Sequence, residues 1–438
     1  MPLLPQMFAG LFTARVKKLE KDRIILRELA GRLGEIAALP VQDEKRRLWR
    51  ALNGLKPERP MVAIDQVCWN EMNKNGKLDL HCDDEECRFY EQGLRRILFQ
   101  WEYFPADMVV EPFIKVHKAI HNSAFGISVK EHTLKTFENN DVVSHRFENQ
   151  FNSVDDVMNK IKMPVIKHDA AETKRRLDFA SWLFDGVMPL REEGYDPYLS
   201  IWDPIATWMG ADGALNGIVD DPEMMHAMAK RMVDGYMVML DQLEEQGLLC
   251  HSQALIHCTG AFTDELPAPG FNPHKPRTKD IWMFGLAQML TMVSPVMFEE
   301  YEINYMLPIF ERFGLVYYGC CDPLDHKMKE VRKIPNLRKV SMSPWANRER
   351  GAEEIGRDFV FSYKPNPAFV AHDSFNEDLI KKDLETTIEI CRCYGCPLEI
   401  ILKDISTVRN KPERLKKWAD IAMSLSQNSN QSRQRSVP

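Results

Sequence analysis

The chain has 438 residues, of which 44% are hydrophobic and 28% charged, with a formal net charge of −7. This composition is typical of a globular protein with a large apolar core, and the acidic balance argues against a nucleic-acid partner. No apolar run reaches the ~18 residues that a membrane span needs. Met1–Pro5 lacks the order of a secretory signal, and ten cysteines are scattered along the chain. We expect a cytoplasmic protein whose cysteines are free thiols or metal ligands.

The amino-terminal part is predicted to be helical. Residues 11–57 combine charges with apolar residues at helical spacing, and Lys56–Pro60 would break the helix. We interpret residues 1–58 as an N-terminal helical extension. Met61 to Asp65 and Asp107 to Glu111 follow as predicted strands, with a helix from Glu91 to Tyr103 between them.

In the middle of the chain, predicted strands and helices alternate less regularly. Residues 123–160 resemble a β-ribbon with a turn at Asn139–Asp141, and Thr173 to Phe184 is a predicted helix. Gly186 to Leu190 and Tyr198 to Trp202 both fit a strand, and the sequence does not choose between them.

The segment from Asp221 to Lys279 carries clearer sequence signals for a helix, a strand and a loop. Asp221-Pro222-Glu223 predicts a helix start, because Asp caps a helix and Pro suits its first position. Ala254 to Cys258 is a predicted strand. The segment from Pro267 to Lys279 is rich in Pro and Gly and predicts a loop that could cover a site.

The last part alternates strands and helices closely. The predicted strands are Leu315–Cys320, Arg338–Met342, Asp358–Ser362 and Leu398–Leu402. The predicted helices lie near Pro323–Arg332, Arg348–Ile355, Phe375–Cys391 and Pro412–Ser424. With one of the two ambiguous segments the total is eight strands, which predicts an α/β protein with a TIM barrel over residues 59–426. A doubly wound sheet is the second choice, and residues 427–438 are predicted to be a disordered tail.

In a parallel barrel the carboxyl ends of the strands share one face, and chemistry collects there. Cys320-Cys321-Asp322 lies at the end of a predicted strand, and His257-Cys258 ends another. Thiolates, imidazoles and carboxylates suit zinc, which can activate a bound thiol or water. Because neighbours on a strand point to opposite faces, only one residue of each pair can aim inward unless the strand has ended. Buried free cysteines that pack as small hydrophobes are an equally weighted alternative.

Other polar residues could complete such a site. Lys364 and Lys403 end late strands and could hold an anionic substrate group, although solvated lysines are nearly as common. Trp202-Asp203 could orient a substrate or simply pack and cap. His117 and His121 would share one face of a helix, and we favour substrate-pocket lining or structure over a metal site for them.

Several stretches resemble the superfamily of uroporphyrinogen decarboxylases and cobalamin-dependent methyltransferases. Ser294-Pro295, followed by Phe298, Tyr301 and Tyr305, is similar to one of its helices, and Leu402-Lys403-Asp404, Trp202-Asp203 and Val110-Glu111-Pro112 resemble segments of decarboxylase-like members. Tyr318-Gly319-Cys320-Cys321-Asp322 stands where methyltransferase members carry a His-x-Cys-Gly zinc motif. The resemblance covers roughly residues 60–425 and implies a TIM barrel.

The sequence departs from that family at two points. The arginine-rich substrate motif of true uroporphyrinogen decarboxylases is replaced by Gln66-Val67-Cys68-Trp69. Tyr318 takes the place of the zinc-binding His, and Tyr363-Lys364-Pro365 stands where the later ligand Cys is expected. Zinc would therefore need His257, Cys258 or Glu111 beside Cys320.

The leading hypothesis is a methyltransferase in which zinc, held by Cys320 with His257 or Cys258, polarises a small methylated substrate. The methyl group would pass to a separate corrinoid protein. Glu111 and Asp322 would be acid/base or orienting groups, and Tyr318 is the third candidate catalytic residue. The alternatives are a metal-free decarboxylase or lyase that uses Lys364, Lys403 and carboxylates, and a non-catalytic binding barrel. The oligomeric state stays open, with a homodimer among the options.

Overall fold

A computed structural model gives the fold of residues 4–135 and 143–435, with side chains for residues 19–135 and 143–429. The helices are Leu4–Ala37 (α1), Pro40–Asn53 (α2), Glu85–Tyr103 (α3), Val154–Lys160 (α4), Ala170–Phe184 (α5), Trp202–Met209 (α6), Ala211–Asp220 (α7), Pro222–Glu245 (α8), Pro295–Phe298 (α9), Asn304–Phe310 (α10), Met328–Val331 (α11), Arg348–Ile355 (α12), Ala368–Ala371 (α13), Glu377–Tyr394 (α14) and Glu413–Arg435 (α15).

The strands are Met61–Ile64 (β1), Ile114–His117 (β2), Ile120–Asn122 (β3), Glu131–Lys135 (β4), Val143–Phe147 (β5), Ile166–His168 (β6), Leu190–Glu193 (β7), Tyr198–Leu199 (β8), Leu255–Ile256 (β9), Thr259–Gly260 (β10), Trp282–Gly285 (β11), Leu315–Tyr318 (β12), Leu337–Met342 (β13), Val360–Tyr363 (β14) and Leu398–Leu402 (β15). A π-helical turn, Glu299–Ile303, joins α9 to α10.

Local signals place many of these elements. The Asp221 side chain accepts a hydrogen bond from the backbone N–H of Met224 at the start of α8, and Ser294 caps α9 in the same way. Gly395 ends α14 in the left-handed conformation. The cap at Asp221 is the one that the sequence predicts. The caps at Asp221 and Ser294 work because side-chain oxygens satisfy the otherwise unpaired N–H groups of the first turn.

Seven parallel strands form the central sheet, in the order β1-β15-β14-β13-β12-β11-β8. The residues of β12, β14 and β15 are buried throughout, as expected for strands covered on both faces. Ile64 lies opposite Leu402, so β1 and β15 end at the same edge of the sheet. The residues that follow these two strands are therefore brought together, although more than 300 positions separate them in the chain.

The sequence predicts a closed ring of eight strands, and the structure shows an α/β fold with this seven-stranded parallel sheet. Strands β11 to β15 follow one another in spatial order, and β1 lies beside β15. In the described residues β8 is not paired with β1, and β2 and β7 form a separate parallel pair.

Several predicted elements differ in the structure. The second strand is β2 rather than Asp107 to Glu111, because the Asp107 carboxylate is bound by Arg59 and accepts a hydrogen bond from the Val62 N–H. The predicted strand at 254–258 is a tight hairpin of β9 and β10 that turns at His257-Cys258. Of the two ambiguous segments, Tyr198 to Trp202 begins with strand β8, whereas Gly186 to Leu190 shares only Leu190 with β7, which starts there.

Other differences concern the helices and one strand. His117 and His121 lie on separate strands, β2 and β3, rather than on one helix. Strand β11 was not predicted. The predicted ribbon is the antiparallel pair β4–β5, whose predicted turn at 139–141 lies outside the described residues. Helix α15 extends to Arg435, into the predicted tail.

The N-terminal helices pack onto the rest of the chain. The Trp49 indole donates a hydrogen bond to the carbonyl of Asp107 (2.9 Å), and the Asn53 amide donates to the carbonyl of Gly260 (3.0 Å). All ten cysteines are free thiols. Among the described helices, none combines the length and apolar character that crossing a membrane requires.

Candidate active site

Two neighbouring thiols lie just beyond the end of β12. Gly319 follows the strand with a φ of +91°, and a Cβ there would approach Leu324 Cδ1 to 2.4 Å. Glycine is therefore required at this turn. Because the strand has ended, both side chains can face the same space, and the Sγ atoms of Cys320 and Cys321 lie 3.5 Å apart.

Cys320 is the buried member of the pair and touches a cation. Its side chain lies 2.9 Å from the ammonium of Lys403 and 3.7 Å from Nε2 of His257, and the residue is 7% exposed. Lys403 in turn forms an ion pair of 2.9 Å with Asp404. An ammonium against a buried sulfur favours the thiolate over the thiol.

Tight backbone turns aim these partners at Cys320. Lys403 is the first residue after β15, and Asp404 follows it with a positive φ of 55°. His257 forms the β9–β10 turn with a φ of 51° and stacks on Phe284 of β11, with ring centroids 4.1 Å apart. Non-glycine residues with positive φ are uncommon and concentrate at functional sites.

The electrostatics of the pair are asymmetric. The hydrogen bond from Cys321 has the largest effect on the pKa of Cys320 and lowers it. Burial opposes this shift, and His257 and Lys403 support it. The same hydrogen bond raises the pKa of Cys321. The Cys321 thiol also lies 3.3 Å from Asp404 Oδ2. At neutral pH the site thus holds one thiolate and one thiol.

Two carboxyl groups beside the thiolate have raised pKa values. Burial is the main cause for both Asp65 and Asp203, and the negative charge of Cys320 adds to the effect at Asp203. The Tyr198 hydroxyl donates a hydrogen bond of 2.8 Å to Asp203, and its ring stacks on Phe284. Carboxyls with raised pKa values are suited to general acid catalysis.

Asp322 and Ser341 hold the backbone of Cys320. Asp322 Oδ1 accepts the Cys320 N–H (3.0 Å), and the Ser341 hydroxyl donates to the Cys320 carbonyl (2.7 Å). Tyr318 points away and donates from its hydroxyl to the buried carboxyl of Glu302 (3.0 Å). Asp322 and Tyr318, both predicted to be catalytic, therefore lie where they can position Cys320 and support the strand, respectively.

Buried polar side chains on the strands of the central sheet form a hydrogen-bonded network near this site. Lys339 pairs with Glu399 at 2.7 Å, with both side chains fully buried. Lys364 donates to the hydroxyls of Tyr317 (2.6 Å) and Ser362 (2.5 Å), and burial lowers its pKa. These contacts place the predicted substrate residue Lys364 inside the sheet rather than on an open surface.

A cavity of about 530 Å³ lies beside the ends of β1 and β10. Its lining is mostly apolar and includes Asp65 and three residues predicted for the site, Cys258, Glu111 and His117. Glu111 lies 3.5 Å from Arg46. Asp65 lines this cavity, and the charges of His257 and Lys403 partly offset the rise in its pKa that burial causes.

The remaining predicted residues are either exposed or buried in the core. His121 is exposed on β3, and Trp202 is buried at the start of α6, in edge contact with Tyr301. Cys258 is buried, and its pKa is raised to about 11, mainly by burial.

A zinc site would need at least three of the predicted ligands arranged around one point. In the parts of the chain for which side chains are described, no three His, Cys, Asp or Glu side chains are arranged to hold a metal ion. The cation that touches Cys320 is the ammonium of Lys403. The predicted zinc and the corrinoid partner stay predictions.

Three contributors were not among the predicted site residues: Cys321, Tyr198 and Phe284. Cys321 could have been predicted from its position next to Cys320, because two adjacent residues in a turn after a strand can both face the same side. Phe284 lies in Ile281–Ala287, an apolar run that follows the Pro/Gly-rich loop and is typical of a buried strand. The stacking of Tyr198, Phe284 and His257 depends on strand order, which the sequence does not display.

Comparison with known proteins identifies no family. No protein-family model matches the chain, and no curated protein matches it. Among solved structures, a methyltransferase from Methanosarcina mazei is similar with a TM-score of 0.47 and 10% identity, covering 86% of this chain and 97% of that one. A match at this level decides neither family nor reaction, so the predicted superfamily stays a prediction.

Proposed function

We propose that this chain is an enzyme that transfers a methyl group from a small substrate, with the Cys320 thiolate as the attacking atom. The observation that carries the proposal is the 2.9 Å contact between Cys320 Sγ and Lys403 Nζ in a nearly buried setting. Lys403 and the Cys321 thiol keep Cys320 ionised at neutral pH, and a desolvated thiolate is a strong nucleophile.

The reaction is a displacement at carbon. Cys320 Sγ forms a bond to the methyl carbon, and the bond from that carbon to the leaving group breaks, with its electron pair departing on the leaving group. A protonated Asp203 or Asp65 would donate a proton to that group, because both pKa values are raised. The predicted corrinoid protein remains the expected final acceptor.

The backbone geometry favours alkyl over acyl transfer. Acyl transfer to a cysteine needs donors aimed at a developing oxyanion, commonly the backbone N–H of the nucleophile. Here the Cys320 N–H is already engaged by Asp322. Displacement at a methyl carbon creates no oxyanion, so it makes no such demand.

A generic methyl donor tests the nucleophile without knowledge of the substrate. Purified protein is treated with a limiting amount of a methyl sulfonate ester at neutral pH, and methylated peptides are quantified by mass spectrometry. We expect methylation first on Cys320, within the tryptic peptide Phe313–Lys327, and its loss in Cys320→Ser. Exposed Cys393 is the internal control, and preferential methylation there would overturn the proposal.

The same groups offer a second function, a decarboxylase or lyase. Lys403 could bind a substrate carboxylate, and a protonated Asp65, which faces the 530 Å³ cavity, could return a proton to carbon after loss of carbon dioxide. Screening carboxylic acids for carbon dioxide release in the presence of a chelator distinguishes this function from methyl transfer. Ligand-induced thermal shifts without turnover would instead favour a binding protein.

We also propose that the parallel sheet is the larger part of a TIM barrel. The single direction in which strands β11 to β15 are added, and the pairing of β1 with the last strand, support closure. The Asp107 N–H donates to the Val62 carbonyl (2.9 Å), which brings the chain before β2 to the free edge of β1. Amide exchange as slow in β2 and β7 as in β13 is expected for a closed ring, and rapid exchange would contradict it.

A further inference from the structure

We propose that Cys320 and Cys321 form a reversible site of oxidation, in which a hydroperoxide converts the two neighbouring thiols into a disulfide. The two Sγ atoms are 3.5 Å apart and lie in a bend beyond the end of β12. They are joined by one peptide bond, so no movement of a second element is needed to bring them together.

The two thiols differ in the way that such a reaction requires. Cys320 is held against the Lys403 ammonium, which favours attack on a peroxide oxygen. Cys321 is exposed, so a small oxidant reaches this site from solvent. The Asp404 carboxylate lies 3.3 Å from the Cys321 sulfur and can accept its proton.

The chemistry balances in two steps. The Cys320 thiolate attacks the peroxide, the O–O bond breaks, and a sulfenic acid forms as the hydroperoxide is reduced to an alcohol or, for hydrogen peroxide, to water. The Cys321 sulfur then attacks Cys320 Sγ, the S–O bond breaks, and hydroxide leaves as water with the proton that Cys321 gives up. The hydroperoxide is the only oxidant, and it takes the two electrons that the thiols lose.

The product should be easy to reduce. Consecutive Cα atoms are about 3.8 Å apart, below the range of about 4.4–6.8 Å that is usual for disulfides. A strained, partly exposed disulfide has a more oxidising potential and suits a reversible role. Cys321 would thus protect Cys320 from irreversible oxidation to the sulfinic acid.

Loss of the thiolate gives this modification a consequence for activity. The disulfide removes the nucleophile of methyl transfer, so this regulatory meaning rests on the proposed function. The oxidation itself does not, because it requires only the two thiols and a peroxide.

Mass spectrometry tests the proposal on the full-length protein. After limited hydrogen peroxide treatment and blocking of free thiols, peptide Phe313–Lys327 should appear unblocked and lighter by two hydrogen atoms, and dithiothreitol should reverse this. Cys393, exposed and 3.5 Å from the Glu389 carboxylate rather than beside a lysine, should stay reduced at the same dose.

Single variants separate the steps. Cys321→Ser should accumulate a Cys320 sulfenic acid that a cyclic 1,3-dione traps, and Cys320→Ser should give neither product. A Phe313–Lys327 peptide that stays fully reduced while Cys393 is oxidised would overturn the inference. If the disulfide forms but Cys320 is not methylated by the methyl sulfonate, the inference is supported and the proposed function is overturned. If Cys320 is methylated but no disulfide forms, the proposed function is supported and the inference is overturned.

Discussion

Replacing Lys403 by methionine should raise the pH at which Cys320 becomes reactive. Opposite unit charges 2.9 Å apart attract by about 6 kcal/mol at an effective dielectric constant of about 20. That energy corresponds to roughly four pH units and is an upper limit. Measured effects of a nearby opposite charge are about one to three units, so we expect an increase of about two.

The assay is the rate of iodoacetamide labelling of Cys320 as a function of pH. The wild-type midpoint should lie well below the usual pKa of a thiol, and that of Lys403→Met about two pH units above the wild-type midpoint. Lys403→Arg keeps the charge and should remain close to wild type. Equal midpoints for wild type and Lys403→Met would show that the ammonium does not stabilise the thiolate, and the argument for the nucleophile would fail.

Three further predictions concern stability, each measured by urea unfolding. Gly319→Ala should lower the free energy of unfolding by about 2–4 kcal/mol, because of the positive φ and the clash with Leu324. The control Gly31→Ala, within helix α1 and with open space around it, should be neutral or stabilising by up to about 1 kcal/mol. Equal losses of stability at both positions would contradict the assigned turn. Arg59→Met should cost about 3–5 kcal/mol because Asp107 is left as an uncompensated buried charge, and a loss below about 1 kcal/mol would mean that this pair is solvated. The folded pKa of Cys320 lies below that of an unfolded thiol, so the stability lost in Cys320→Ala should be greatest above about pH 8.5 and shrink as the pH falls through the folded pKa. A difference independent of pH would show that Cys320 is not ionised in the folded protein.

The sequence alone determined the elements whose signals are local. The capped starts of α8 and α9 and the strands β12 to β15 appear within one or two residues of their predicted positions, because caps, apolar runs and glycines act over a few neighbours. The placement of Cys320 and Lys403 at strand ends follows from the same signals, although the strand before Cys320 ends two residues earlier than predicted. Strand β11 was missed because its apolar run follows a loop rich in Pro and Gly and has no clear helix before it.

Only the tertiary structure decided which residues meet. Lys403 reaches Cys320 because β1, β15 and β12 share one parallel sheet, and His257 joins them through a left-handed turn that no local pattern predicts. The sequence placed Lys403 and Cys320 at strand ends, but the contact between the ammonium and the sulfur appears only in the folded chain. That contact depends on side-chain direction and distance across strands far apart in the chain, and these are fixed by register and packing rather than by composition.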